Sequence, residues 1–329
     1  MSLKKIAEMV GTSPSTVSRV LNNSYDTCAS EELKAKIWAA AREIHYVPNT
    51  YARELKRQKA PERQRKVSVV LARVRSLEAD SFFRELFREL EIQIFQAGLL
   101  LDEVVNTEEM PGLEMRETDG ILILGRSSDR LLAALQERTR NLVGIWRNPT
   151  DFAIDEVICD GRKAAEQAVR YLLAKGHRKI GYIGDCSYES RYVGYCDTMI
   201  RHQRPLNSED IFETDQTTGA GYEAMQALLT RSEITAVLCA NDMTAFGALK
   251  ALAEPRGSRR QVAVISIDDV REAQTTTPLL TTIRIPRGDM AHMAVQVLQD
   301  RMHHGHTEKL RVEFTGRIVE RESCFALRS

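Results

Sequence analysis

The first twenty residues place apolar side chains at helical spacing, with one interruption. The apolar residues are Leu3, Ile6, Ala7 and Val10 in the first segment, and Val17, Val20 and Leu21 in the second. Between the segments, Gly11 can end a helix in the left-handed conformation, Ser13 can cap the next helix, and Pro14 fits its first position. The pattern predicts two short helices joined by a tight turn.

The outer face of the second helix carries short polar groups and one cation. These residues are Ser15, Thr16, Ser18 and Arg19, with no acidic residue among them. Hydroxyls can contact phosphates and an arginine can donate two hydrogen bonds to guanine, so this face is typical of a helix that enters the DNA major groove. The alternative is an ordinary helical hairpin whose polar face is only solvated.

A third helix is predicted to complete a small N-terminal core. It would begin after Ser30, a capping residue that is followed by two acids. Its buried face would contain Leu33, Ile37, Ala40, Ala41 and Ile44. Three helices of this length are enough for a small independent core.

A short basic helix is predicted next, over residues 50–56. Asn49 can cap it, and the segment is shorter than the roughly twelve residues that an isolated helix needs in water. It carries Arg53 and leaves Leu55 exposed unless something covers it. Such a segment can fold on DNA and insert its leucine into the minor groove. The alternative is a linker whose leucine packs on the head, and the polar run 57–66 indicates a domain boundary.

From Val67 onward, short apolar strands alternate with amphipathic helices. Strands are predicted at Val67–Leu71, Leu99–Val105, Gly120–Leu124, Leu142–Trp146, Val157–Cys159, Lys179–Gly184, Ile211–Glu213, Ala236–Ala240 and Val262–Ile267, and helices at Phe82–Ala97, Asp160–Lys175, Ser190–His202, Gly219–Leu229, Met243–Leu252 and Arg287–His303. This alternation predicts parallel sheets with helices on both faces. The predicted fold class is therefore an all-α helix-turn-helix head followed by an α/β body of two lobes.

Polar residues lie in the loops that follow several of the predicted strands. They are Asp160, Arg191, Asn241 and Asp268. Ligands of open α/β sheets bind beyond the carboxyl ends of the strands, so four polar residues there favour a polar binding cleft between the lobes. Each of these residues taken alone is more often a helix cap.

The net charge of zero hides an uneven distribution. Residues 1–65 contain twelve Lys and Arg against seven Asp and Glu, whereas the rest of the chain contains 34 against 39. A basic head on an acidic body is expected for a nucleic-acid module joined to a domain with another task.

Length and composition set further expectations. A chain of 329 residues suggests two or three domains, and its six scattered cysteines, without C-x-x-C pairs, are interpreted as reduced structural thiols. With no long apolar run and no export leader, we expect a cytoplasmic protein without membrane contact, associated with the nucleoid when it is bound to DNA.

The N-terminal motifs closely resemble the head and hinge of the LacI/GalR family of bacterial transcriptional repressors. The resemblance rests on Leu3–Asn22 and on the spacing Tyr46-x-Pro48-Asn49-x-x-Ala52-Arg53-x-Leu55. It implies DNA contacts by Ser13, Pro14, Ser15, Thr16, Ser18, Arg19, Asn22, Asn49, Ala52, Arg53, Leu55 and Lys56. It also implies that the two Leu55 side chains of a dimer kink the operator. Because the Pro14 side chain forms no hydrogen bond, Ser15 and Arg19 must do more of the base reading.

The body resembles the family's sugar-binding core, which is similar to periplasmic binding proteins. The matching motifs are Ala174-Lys-Gly-His177, Arg191-x-x-Gly194-Tyr195, Ala240-Asn241-Asp242-x-x-Ala245-x-Gly247, Ile267-Asp268-Asp269 and Pro278-Leu-Leu-Thr-Thr-Ile283. By this resemblance, the effector contacts are Asp160, Arg191, Asn241 and Asp268, with Asp80, Ser81 and Phe82 from the first lobe and Gln216 where the family often has a stacking aromatic residue.

The resemblance also implies a division of the chain. Its parts are a head (1–46), a hinge helix and linker (47–65), a first, dimerising lobe (66–172 with 286–314) and a second lobe (173–285 with 315–329). The chain ends soon after its last strand without the leucine heptads that would join dimers into tetramers, so a homodimer is expected.

Two departures from the family pattern affect the expected effector. The segment 105–116 is short, so one helix there is expected to be abbreviated. A repressor that controls an evolved β-galactosidase is similarly shortened, which favours a galactoside. At position 216, glutamine removes a stacking platform and leaves the effector's identity open.

No enzymatic motif accompanies the predicted sheets. No G-x-G-x-x-G or P-loop follows a strand, no G-x-S-x-G elbow is present, and His303, His304 and His306 fall in a glycine-containing, solvated loop. We therefore expect no enzymatic activity, no cofactor and no metal. The predicted function is repression of a sugar-utilisation operon, with a small-molecule effector, expected to be a sugar, releasing the protein from double-stranded operator DNA. The alternatives are a co-repressor-dependent regulator and a sugar-binding protein without a DNA role.

Overall fold

The computed structural model describes residues 3–21, 29–44, 46, 63–72, 74, 76–107, 115–187, 189–254 and 261–327. The expected hinge helix lies outside these residues, as does most of the expected linker. Most of the shortened segment 105–116 also lies outside them.

Three helices form the described part of the head. They are α1 (Leu3–Val10), α2 (Pro14–Leu21) and α3 (Glu31–Glu43). Gly11 adopts a φ of 67° where α1 ends, and Ser13 Oγ accepts a hydrogen bond from the Thr16 N–H at 3.1 Å, which caps α2. Ser30 caps α3 by accepting from the Leu33 N–H at 3.2 Å. The predicted pair of helices with its tight turn, and the third helix, are confirmed.

The first lobe contains a sheet of six parallel strands in the order β11-β5-β4-β3-β1-β2. The strands are β1 (Lys66–Leu71), β2 (Leu100–Asn106), β3 (Gly120–Leu124), β4 (Leu142–Trp146), β5 (Asp155–Cys159) and β11 (Arg311–Phe314). The helices α4 (Ser81–Gln96) and α10 (Arg287–Met302) cover one face, and α5 (Asp129–Gln136) covers the other. Because both faces are covered, the two central strands, β3 and β4, are apolar throughout.

The second lobe contains the sheet β12-β10-β9-β8-β6-β7, which is parallel except that β12 runs antiparallel to β10. The strands are β6 (Ile180–Gly184), β7 (Ile211–Glu213), β8 (Ala236–Cys239), β9 (Ala263–Asp268), β10 (Thr281–Arg284) and β12 (Arg317–Val319). The helices α6 (Gly161–Ala174) and α7 (Ser190–Arg201) lie on one face, and α8 (Thr218–Arg231) and α9 (Asp242–Ala253) on the other. The predicted fold class, an all-α head with a two-lobed α/β body, is confirmed.

The helix α6 belongs to the second lobe. It packs on α7 and on strands of the second sheet, and Gly194 of α7 approaches it so closely that a Cβ there would lie 2.3 Å from the Arg162 carbonyl oxygen. The boundary predicted at residue 172 is therefore wrong by one helix, because the chain crosses to the second lobe near Asp160. An apolar stripe shows that a helix is covered, but it does not show which of two sheets covers it.

Candidate effector site and DNA-reading face

The carboxyl ends of strands from both sheets face one cavity between the lobes. Its volume is about 310 Å³, which suits a small-molecule ligand. Six of the eight predicted effector residues line it, namely Asp80, Phe82, Arg191, Gln216, Asn241 and Asp268. Polar residues after parallel strands meet here because those strand ends share one edge of each sheet.

Arg191 lies in the first turn of α7 and is only 3% exposed. Its guanidinium donates to Glu189 Oε1 at 2.9 Å, to the Ala240 carbonyl at 2.6 Å and to Gln216 Oε1 at 2.8 Å. Burial alone would raise the pKa of Glu189, but the charge and hydrogen bonds of Arg191 outweigh burial and lower that pKa to about 2. The pair therefore stays ionised, and three acceptors fix the guanidinium in one orientation.

Gln216 and Asn241 are tied to each other. Gln216 has a φ of 64°, in the left-handed region that non-glycine residues seldom occupy, and its carbonyl accepts from Asn241 Nδ2 at 3.2 Å. Asn241 Oδ1 accepts from the Thr244 N–H at 2.9 Å and caps α9. Asn241 is thus both a helix cap and a cavity residue, so the two interpretations of such residues are compatible.

Asp268 ends β9 at the wall of the cavity and is 2% exposed. Its carboxylate forms an ion pair with Arg147, and its carbonyl accepts from Arg287 at 2.5 Å. Burial raises the pKa of Asp268 to about 6, while the charges of Arg147 and Arg191 limit the rise. Asp268 also has a φ of 141°, and backbone strain of this kind often accompanies a functional position.

Arg147 is a cavity residue that the sequence pattern had not picked out. It follows β4 of the first lobe, and its Cζ lies 4.0 Å from the centroid of the Phe82 ring. Its ion pair with Asp268 crosses from the first lobe to the second. The sequence contained the signal for Arg147, because it directly follows a predicted strand, as Asp160 does.

Ser81 and Asp160 do not line the cavity, contrary to the prediction. Asp160 Oδ1 accepts from the Arg162 N–H at 2.8 Å, so its side chain caps α6. Ser81 Oγ donates to Glu272 Oε1 at 2.8 Å and thereby joins the first lobe to the second beside the cavity. The polar group of each residue is committed to the protein itself.

Part of the outer face of α2 is exposed to solvent. Ser13, Pro14, Ser15 and Arg19 are exposed, whereas Thr16 and Ser18 are half-buried. The helix contains no acidic residue. The remaining predicted DNA contacts lie outside the described residues, and these are Asn22, Asn49, Ala52, Arg53, Leu55 and Lys56.

Comparison with known protein families gives one match in the head and one in the body of the chain. Residues 2–49 match the bacterial regulatory proteins of the lacI family, and residues 169–324 match the periplasmic binding protein-like domain. The HTH-type transcriptional repressor PurR of Escherichia coli O1:K1 / APEC is 31% identical over 339 residues, which cover 98% of this chain and 96% of that repressor. The chain belongs to the lacI family. It is a lacI-family transcriptional repressor with a ligand-binding domain, and its relatives are regulators rather than enzymes.

Solved structures of lacI-family regulators share the fold. A transcriptional regulator CelR–cellobiose complex aligns with a TM-score of 0.70 at 24% identity, covering 98% of this chain and 100% of that one. The lac repressor dimer bound to operator and the anti-inducer ONPF aligns with a TM-score of 0.69 at 23% identity, covering 99% of each chain. A regulator from Enterococcus faecium with bound ribose has a TM-score of 0.69 at 22% identity, over 80% of this chain and 100% of that one.

The described residues also bear on membrane spans, metal sites and the cysteines. No helix in the ranges described above is long and apolar enough to span a bilayer. Within those same ranges, no group of three or more His, Cys, Asp or Glu side chains could hold a metal ion, and the five cysteines there are free thiols. His306, expected in a solvated loop, is instead only 12% exposed and contacts Asp155 through Nε2 at 2.9 Å.

Proposed function

We propose that this lacI-family repressor controls a sugar-utilisation operon and that a sugar bound between the lobes releases it from its operator. One observation supports this most strongly: six of the predicted effector residues, from five separate segments of the two lobes, line one cavity. A ligand that touches both lobes can favour one relative arrangement of them, which is what an allosteric effector must do. The protein would act as a homodimer in the cytoplasm, associated with the nucleoid while it holds DNA.

The chemistry of the cavity wall suits a polyhydroxyl ligand. Asp268 can accept hydrogen bonds from hydroxyls, Arg191 has further N–H groups to donate, and Phe82 supplies an apolar ring. Gln216 stands in place of a second aromatic ring, which disfavours a flat aromatic ligand held between two rings. The CelR–cellobiose complex and the ribose-bound regulator are fold-level precedents for a sugar here. A galactoside is the first sugar to test.

On the DNA side, we assign base reading to Ser15 and Arg19, both exposed on α2. Ser13, Thr16 and Ser18 would contact phosphates, and Pro14 would shape the start of the helix. Two heads of a homodimer would read the half-sites of a pseudo-palindrome, with residues 47–65 forming the hinge between them. The first lobe would dimerise, and its boundary with the second would lie near residue 160.

Release from DNA requires the effector to prefer the conformation that does not bind DNA. A hundredfold preference supplies about 2.7 kcal/mol, enough to change operator occupancy strongly. The Arg147–Asp268 ion pair links the two lobes. A sugar that hydrogen-bonds to Asp268 must therefore compete with Arg147 or bind beside it.

The experiment first selects DNA fragments from a random library with the purified protein. Galactosides, other sugars and non-sugar metabolites are then added singly, while melting temperature and fragment affinity are measured. We expect a galactoside to raise the melting temperature and to weaken DNA binding at least about tenfold. A ligand that strengthens DNA binding would make the protein co-repressor-dependent, and release by a non-sugar alone would reject the sugar assignment. Failure to select any DNA would favour a sugar-binding protein without a DNA role.

A further inference from the structure

The connection from β4 to β5 is short for two parallel strands. Such strands are usually joined by about a dozen residues or more, most often including a helix. Here residues 147–154 make the connection, and they form neither helix nor strand. Without a helix, the backbone N–H and C=O groups of the connection need partners from other parts of the chain. The connection begins with Arg147 and Asn148, which line the cavity.

Glu156, the second residue of β5, supplies the central partner. It is fully buried, and its Oε1 accepts hydrogen bonds from the Thr150 N–H at 2.7 Å and from the Trp146 indole N–H at 3.0 Å. Its Oε2 accepts from Arg311 Nε at 2.6 Å, and Lys309 Nζ lies 3.4 Å from the same oxygen. A carboxylate buried in this way is strongly destabilising without its partners. Glu156 thereby ties the end of β4 and the middle of the connection to the start of β5.

Two cations at the edge of the first sheet bind the same connection. Lys309 Nζ donates to the carbonyls of Thr150 and Phe152, at 2.6 and 2.8 Å. Arg311 Nη2 donates to the Thr150 carbonyl at 2.8 Å. Arg311 lies beside Glu156 in the register of β11 and β5, so the carboxylate and the cations meet on one side of the sheet. We call Glu156, Lys309 and Arg311 the edge cluster.

The start of the connection contacts the second lobe through both side chains and backbone. The Arg147 side chain pairs with Asp268, and the Arg147 carbonyl accepts from the Gly161 N–H at 3.1 Å. Asn148 Oδ1 accepts a hydrogen bond from Ser190 Oγ. Gly161 and Ser190 begin the helices α6 and α7 of the second lobe. These contacts require the backbone at residues 147 and 148 to hold one position.

We propose that the edge cluster is a positioning site: by fixing Thr150 and Phe152, it holds Arg147 and Asn148 against the second lobe and in the cavity wall. A connection without a helix has many accessible conformations. The cluster removes most of them in advance, so the cost of ordering is not taken from the free energy of effector binding. The cluster itself does not line the cavity, so it acts through Arg147 and Asn148. Its role in effector binding rests on the function proposed above, whereas the positioning of Arg147 does not.

A matched pair of buried acids tests the positioning in the full-length protein. Glu156→Gln removes the carboxylate of the edge cluster, and Asp155→Asn removes that of its equally buried neighbour on β5. Asp155 binds Arg301 at 2.7 Å and His306 at 2.9 Å, so it holds the segment after α10 and not the connection. Each variant breaks a buried ion pair, so both should unfold at lower urea concentration than the wild type.

Amide hydrogen exchange separates the two variants. In Glu156→Gln, exchange in residues 147–154 should rise at least about fivefold, because the Thr150 amide and the cations lose their common partner. In Asp155→Asn, exchange in residues 147–154 should match the wild type, and the increase should fall in residues 303–310. Unchanged exchange of residues 147–154 in Glu156→Gln would show that the cluster does not fix the connection.

The decisive measurement is the coupling between Arg147 and Asp268. A double-mutant cycle of Arg147→Met and Asp268→Asn, followed by urea denaturation, gives this coupling in each background. Glu156→Gln should reduce it at least about twofold, because Arg147 no longer starts from a fixed position, whereas Asp155→Asn should leave it unchanged. If Glu156 only stabilises the lobe, the variant loses stability and keeps the full coupling, which overturns the proposal. An equal reduction in both backgrounds overturns it as well.

Lys309→Met is a milder form of the test, for the case that Glu156→Gln does not fold. Lys309 is 26% exposed, and its loss leaves Glu156 paired with Arg311. Exchange in residues 147–154 should rise and the coupling should fall, and Lys309→Arg should restore both, because a guanidinium can still donate to the two carbonyls. Lys163→Met is the control, since Lys163 pairs with Glu313 of β11 at 2.5 Å and is 61% exposed. A coupling that Lys309→Met leaves unchanged also rejects the proposal.

Calorimetric titration with methyl β-D-galactoside measures the link to the cavity. Glu156→Gln should change the affinity in the same direction as Arg147→Met, and the double variant should match Arg147→Met alone within about twofold, because both act through one residue. Additive changes would show that Glu156 acts independently of Arg147 and would reject the link. If the wild type does not bind the galactoside, that result counts against the function proposed above, whereas exchange and coupling still decide whether the edge cluster positions Arg147.

Discussion

Arg147 and Asp268 form an ion pair across the cavity, from the loop after β4 in the first lobe to the end of β9 in the second. Their side chains are 15% and 3% exposed, and the guanidinium also lies over the Phe82 ring. The lobes are thus joined by a group that any ligand of Asp268 must meet. Arg147 is therefore expected to affect both the stability of the protein and its affinity for the effector.

Replacing Arg147 by Met keeps the aliphatic part of the side chain and removes its charge. The Asp268 carboxylate then loses its partner while it remains buried, so the free energy of unfolding should fall by about 2 kcal/mol. Urea denaturation measures this loss. Adding Asp268→Asn should return part of it, because no unpaired charge remains. If the two single losses merely add in the double variant, the residues are not coupled.

Arg191→Lys should impair the response to the effector while DNA binding persists. Lysine keeps the charge but cannot supply the fork that holds Ala240 and Gln216 together, so effector affinity should drop at least about tenfold. Calorimetric titration with the sugar that releases the protein from DNA measures the drop in affinity. The affinity for the selected DNA fragment is the control. A variant with unchanged effector affinity would remove Arg191 from the effector site.

Effector affinity should rise with pH through about 6. Burial raises the pKa of Asp268 to about 6, and above this pH the carboxylate accepts hydrogen bonds from sugar hydroxyls more strongly than the neutral acid does. Protonation below this pH weakens that acceptor, so affinity falls on the acid side. Titrations between pH 5 and pH 8, values that bracket about 6, should show this slope in the wild type. Asp268→Asn should bind more weakly and with little dependence on pH, whereas a slope that persists in Asp268→Asn would assign it to another group.

Much of the fold followed from local pattern. The caps at Ser13 and Ser30 and the turn at Gly11 were predictable because each depends on neighbouring residues. The lobe that α6 joins was not predictable, because it depends on which sheet the helix meets after Asp160. Trp38 shows the same limit, since part of its burial comes from Phe95 of α4, which is distant in the sequence.

Some residues of the candidate site could likewise be predicted from local sequence, whereas the contacts between distant segments could not. Asn241 and Asp268 were found because they follow strands, and strand ends gather at one edge of a sheet. Asp160 obeyed the same rule and yet caps α6, because the side chain of a residue after a strand can bond to its own helix as easily as to a ligand. The bond from Arg191 to Gln216 and the pair of Arg147 with Asp268 join distant segments, which no local spacing reveals.

Leu55→Ala should weaken operator binding about tenfold and leave effector binding intact. This prediction rests on the sequence of residues 50–56, for which a marginal basic helix is predicted, with a leucine that can enter the minor groove. Fluorescence anisotropy with the selected fragment measures the change. Leu55→Ile keeps the apolar volume and should lose less. Equal affinity for wild type and Leu55→Ala would reject the wedge.

Arg19→Ala should relax DNA specificity as well as lower affinity. Arg19 is exposed on α2, where a guanidinium can donate two hydrogen bonds to one guanine, so its loss should cost about 1–3 kcal/mol at a single position of each half-site. Lys5→Ala is the control, because Lys5 is an exposed cation of α1 and should contribute only long-range attraction to phosphates. Repeating the selection with each variant distinguishes the roles. Arg19→Ala should randomise one base pair per half-site, whereas Lys5→Ala should keep the wild-type consensus and bind all fragments slightly more weakly. An unchanged consensus with Arg19→Ala, together with a reduced dependence of affinity on salt, would instead make Arg19 a phosphate contact and leave Ser15 as the residue of α2 assigned to base reading.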